Sequence, residues 1–76
     1  MKTETALQQV LTEFNRIHQD GDESEQFSSK HEVLGHLEMS LRVLKDKIQY
    51  DHKPTDLRAS YKHIAAEAFK AMVDLT

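Results

Sequence analysis

Between Ser29 and Tyr50, Leu34, Leu37, Leu41, Leu44 and Ile48 recur at spacings of 3, 4, 3 and 4. At about 100° per residue this places all five on one stripe of an α-helix and rules out the alternation of a strand. Glu38, Arg42, Lys45, Asp46 and Gln49 fall on the opposite side, with Glu38–Arg42 and Arg42–Asp46 at the i,i+4 spacing of side-chain pairs. A second set, His36, Met39, Val43 and Tyr50, lies about 140° round from the leucines. So broad an apolar surface exceeds what a surface helix needs and predicts a helix over 29–51 in the middle of the fold.

Helices are expected on both sides of it. Leu7, Val10, Leu11, Phe14 and Ile17 give an apolar face to a helix over 3–18, with Thr5–Gln8 at capping-box spacing, Thr3 as an alternative cap and Gly21 as a stop. Ser29 and Glu32 form a capping box for the central helix. Asp51-His52-Lys53-Pro54 reads as a connector, and Thr55 as the cap of a third helix over 55–75. That helix carries Leu57, Tyr61, Ile64, Ala68, Met72 and Leu75 as its main stripe. The expected architecture is a single all-α domain, a small three-helix bundle running up-down-up. The alternative is a hairpin of the two longer helices that oligomerises, with the first helix as an arm.

Only 76 residues build this core, and with no cysteine there is no disulfide or thiolate metal site to reinforce it. Oligomerisation or a partner is the expected remedy. The net charge is −3, and residues 1–29 hold two basic against six acidic side chains. That is no concentrated basic face, so DNA and RNA are not expected partners. An apolar leader and a membrane-length apolar run are both lacking, which points to a cytoplasmic protein without membrane contact.

Catalytic and metal signatures are sparse. His31-Glu32 and His36 imitate a zinc-protease motif at the wrong spacing, since histidines five apart do not share a helix face. Glu32–His36 and His63–Glu67 are at i,i+4 but lack the further glutamates of a two-metal bundle. The acidic connector 19–28, with Asp20, Asp22, Glu23 and Glu25, does not have the ligand order of a calcium loop. The serines sit in no strand–turn–helix elbow, and the two glycines form no phosphate loop. An enzyme is not expected, nor a cofactor or metal. Lys45, Lys47, Lys53, Arg58 and Lys62 gather near the second connector, where a small anionic nucleotide could bind beside a helix N-terminus.

The expected function is therefore protein interaction: a helical regulator or inhibitor acting through helix–helix contacts, with itself as a dimer, with another protein, or both. The expected contact residues are His36, Met39, Val43 and Tyr50, together with Phe27, an aromatic before a helix start whose first expectation is to fold back onto the bundle and whose alternative is a partner contact. Small acidic cysteine-free helical proteins of this kind include phage-encoded inhibitors. Leu34-Gly35-His36-Leu37-Glu38 and the following Ser40-Leu41 are similar to the helical-hairpin family of phage sponge proteins. The resemblance implies an oligomer that sequesters a cyclic-nucleotide signal of antiviral defence, and assigns no ligand-contacting residue.

Overall fold

The computed structural model describes residues 1–20, 26–50 and 53–75, with Gln19 and Asp20 described in backbone only. These residues form three α-helices: α1 over Thr3–Asp20, α2 over Lys30–Gln49 and α3 over Pro54–Leu75. Glu13 meets His63 and Phe14 meets Phe69, so α1 runs parallel to α3. Ser40 bonds Glu67 and Lys47 bonds Ser60, so α2 runs antiparallel to it. The order is up-down-up, and the fold is a small three-helix bundle.

The helix starts follow local chemistry. Ser29 caps α2 from an extended conformation, its hydroxyl accepting the Glu32 N–H at 3.2 Å, while the Glu32 carboxylate accepts the Ser28 hydroxyl at 2.9 Å. Helix α3 starts one residue earlier than expected. Pro54 is its first residue and the Lys53 carbonyl takes the Asp56 N–H, which leaves Thr55 inside the first turn rather than capping it. Proline suits that position because its φ is already helical and the missing N–H would have no partner there. In α1 the Lys2 carbonyl accepts from Ala6, so neither Thr3 nor Thr5 is the cap. Gly21, the acids 22, 23 and 25, and Asp51-His52 lie outside the described residues. At Gly35 an added Cβ would meet nothing within 4 Å, so close backbone approach does not explain this glycine.

The middle of the bundle is not where the leucine pattern puts it. Helix α3 packs against both others, whereas α1 and α2 make no comparable contact with each other among the described residues. Helix α2 has no fully buried residue. Its half-buried line is Val33, Leu37, Ser40, Leu44 and Lys47, one step round from the leucine stripe, and Leu34, Leu41 and Ile48 stay more than half exposed. The physical reason is polar pairing. Burying a polar side chain costs less where it gains a hydrogen bond, and turning Ser40 and Lys47 inward gives one each to the buried Glu67 and Ser60. The same rotation occurs in α1, where Ile17 is buried beside Glu13 while Leu7 and Leu11 remain outside.

Candidate functional site

A polar seam runs along α3. Ser60, His63, Glu67, Lys70 and Asp74 recur at spacings of 3, 4, 3 and 4, the same spacing as the leucines of α2. Four of the five are nearly or fully covered: Ser60, Glu67 and Lys70 as whole residues, Asp74 in its side chain. His63 Nδ1 lies 2.7 Å from Glu13 Oε2, and its Nε2 lies 3.6 Å from Glu67 Oε1. The Ser40 hydroxyl donates to the other side of the seam at Glu67. At the far end the Lys70 ammonium donates to Asp74 and sits 4.0 Å from the centre of the Phe27 ring.

Two carboxyls, Glu13 facing the seam from α1 and Asp74 within it, have depressed pKa values. Arg16 donates two hydrogen bonds to Glu13, at 2.9 and 2.8 Å. That pairing, against the cost of burial and with help from His63, brings Glu13 down from 4.5 to about 2. For Asp74 burial raises the pKa, but Lys70, the Phe27 N–H and the His18 charge together outweigh it and the net shift is downward. Both pKa values are depressed, so their stabilisation is complete above the ordinary carboxyl range and is lost as pH falls through it. For Glu13 that window runs from 4.5 down to about 2. Thermal melts across it should show stability falling with acid, and Glu13→Gln should be less stable at neutral pH with a flatter acid limb. Equal slopes in the two proteins would place the acid sensitivity elsewhere.

Beside the seam, α2 and α3 enclose a groove of about 350 Å³. Met39, Val43 and Ala59 provide apolar walls, while His36, His63, Ser40, Ser60 and Lys47 provide polar groups. Lys47 Nζ is anchored, donating to Ser60 Oγ at 2.9 Å and to the Asp56 carbonyl at 3.4 Å. Three of the five expected contact residues, His36, Met39 and Val43, thus meet in one place. Met39 and Val43 are more than half exposed there, and Tyr50 is exposed by 77% at the C-terminal end of α2.

Phe27 does not join them as an exposed contact. Only 3% of it is accessible. Its N–H donates to Asp74 Oδ2 at 2.9 Å, and its ring packs 5.3 Å from that of His36. An aromatic ring preceding a helix gains more by folding onto its own bundle than by waiting in water.

The basic set is divided. Lys47 lines this groove, whereas Lys62 lines a separate cavity with Glu4, Thr5, Gln8, Gln9 and Thr12 of α1. His63 Nε2 and Glu67 Oε1 lie 3.6 Å apart and contact one another. Among the described residues no three His, Asp or Glu side chains are placed to hold a metal ion. No helix among them is long and apolar enough to cross a membrane.

Glu13, Glu67, Lys70 and Asp74 were not expected at the centre. For Glu67, Lys70 and Asp74 the signal that could have found them is the 3-4-3-4 recurrence of polar residues on α3, which resembles a solvated face until the neighbours are known; Glu13 on α1 has no such signal. Comparison with protein-family models, with curated proteins and with solved structures finds no match for this chain.

Proposed function

We propose that this chain is a helical protein-interaction module, a regulator or inhibitor that engages another protein along the groove side of α2. The observation supporting this reading is the set Met39, Val43 and Tyr50, at relative spacings of 4 and 7 and each more than half exposed, of which Met39 and Val43 line the 350 Å³ groove. An amphipathic helix laid along that side would cover all three, and its apolar anchor would enter between Val43 and Ala59. His36 and Lys47 at the edges would set orientation through polar contacts.

A photo-crosslinking residue incorporated in place of Met39 tests the reading. It should capture a discrete protein in cells, whereas the same residue in place of Glu38 should not. Val43→Glu, with its fold checked by circular dichroism, should abolish the capture. Equal labelling from both positions, or capture that survives Val43→Glu, removes the groove from the interaction.

A second reading is favoured by Lys47, Ser60 and His36 on the same groove: a small anionic ligand, such as a cyclic nucleotide sequestered by a phage sponge. It predicts a rise in melting temperature with cyclic dinucleotides, because a ligand held only by the folded state stabilises it. Lys47→Ala should remove that rise. A crosslinked protein partner and no nucleotide shift decide for the first reading.

A further inference from the structure

The side of the hairpin opposite the groove carries the leucine stripe, and we infer that a second copy of this chain covers it. This face is separate from the groove and does not depend on the function proposed for it. Ser40 faces Glu67 and Lys47 faces Ser60, so these residues mark the contact lines of α2 and α3. Met39 and Ala59, each one residue before Ser40 and Ser60, both line the groove. One residue in the other direction is a turn of about 100° the other way. In two antiparallel helices that face each other, it brings both sets to the same opposite side. Leu34, Leu41 and Ile48 of α2 therefore share a face with Tyr61, Ala68 and Leu75 of α3.

That face is open to water. Leu34, Leu41, Ile48 and Tyr61 are each more than half exposed and Leu75 is 42% exposed. A large side chain has roughly 150–250 Å² to bury, so these five alone offer about 400–600 Å². Half-buried Leu37, Leu44 and Ile64 and exposed Ala65 and Met72 border them and carry the total toward the ~800 Å² per partner of a stable interface. A patch of this size stands at or above the largest that a typical monomer leaves open, and such patches mark interaction sites. The burial pattern agrees: the chain hides Glu13, Glu67 and Lys70 and exposes its leucines, the reverse of what a free-standing bundle of this size needs.

Shape selects a copy of the same hairpin as the occupant. Its two stripes have the same plan, a seven-residue repeat with large residues at the ends. Their centres differ, leucine at position 41 and alanine at position 68. The Ser40–Glu67 bond puts both centres near the same level along the hairpin. A two-fold axis parallel to the helices then lays α2 over the α3 of the second copy. Leu41 meets a hollow at Ala65 and Ala68, Leu34 meets the Leu75 end and Ile48 the Tyr61 end. The product is an antiparallel four-helix bundle with α1 outside it.

Solution mass by light scattering or sedimentation tests this at micromolar concentration and above. The wild type should weigh twice the 8.8 kDa of one chain. Leu41→Glu puts a charge in the hollow and should weaken the dimer about 100-fold or more, while Val43→Glu, on the groove side, should leave it intact. The chain has no native cysteine, so Leu41→Cys/Ala68→Cys should form a covalent dimer on mild oxidation even if Leu41→Glu fails to fold. A wild type of 8.8 kDa, another multiple, a dimer broken by Val43→Glu but not by Leu41→Glu, or a double-cysteine protein that stays uncoupled would each overturn the inference.

Discussion

Replacing Lys70 by alanine is expected to destabilise the bundle by about 3–5 kcal/mol. A domain of this length has roughly 4–11 kcal/mol in total, so the variant should be partly or wholly unfolded at 37 °C. Lys70 has no accessible surface, and the Asp74 side chain that accepts its hydrogen bond is only 3% exposed. Removing the ammonium strands a buried carboxylate, which retains the Phe27 N–H as a donor but loses its countercharge. The loss comes mainly from that stranded charge rather than from any large net benefit of the pair. Lys70→Met with Asp74→Asn should accordingly recover much of the stability, because it keeps volume and an acceptor for Phe27 without any buried charge. Denaturant midpoints measure both. A Lys70→Ala protein within about 1 kcal/mol of wild type would show that the amine escapes to water.

Phe27→Ala is expected to cost about 3–4 kcal/mol, in the range for deleting a buried aromatic side chain. The ring ties the start of α2 to the end of α3: it lies beneath Lys70 and against His36, and the neighbouring Gln26 Nε2 donates to the Asp74 carbonyl at 3.1 Å. Without it, hydrogen exchange should rise first at the N-terminal turns of α2 and the last turns of α3. Phe27→Leu, which keeps an apolar filling but no ring face for the ammonium, should be milder. Lys70 and Phe27 touch, so the double variant should fall short of the sum of the single effects by about 0.5–3 kcal/mol. Full additivity would mean that the ring and the ammonium do not interact.

Much of the secondary structure was legible. Hydrophobic recurrence located all three helices, Ser29 with Glu32 marked the start of α2, and Pro54 marked where the second connector ends. These signals are local: they depend on backbone geometry, caps and the period of one helix. Three of the contact residues expected from α2 alone, His36, Met39 and Val43, meet in the groove for the same reason. Phe27 was different. Whether an aromatic outside a helix packs inward depends on what the end of α3 offers it, and that offer is Lys70 and Asp74.

The amino-acid sequence by itself determined three amphipathic helices, because helical period is local, and favoured their up-down-up order over a hairpin with α1 as an arm; the contacts of α1 with α3 decided between the two. Tertiary structure alone decided how each helix is rotated about its axis. A leucine stripe and a polar stripe of identical spacing both run along this hairpin, and hydrophobic pattern favours the leucines for the interior. A buried polar group costs least where it finds partners, however, and the ones supplied from outside α3 (Glu13 to His63, Ser40 to Glu67, the Phe27 N–H to Asp74) are reached only when the polar stripe turns toward the neighbouring elements. That pairing places α3 at the centre and holds Leu34, Leu41 and Ile48 on the outside.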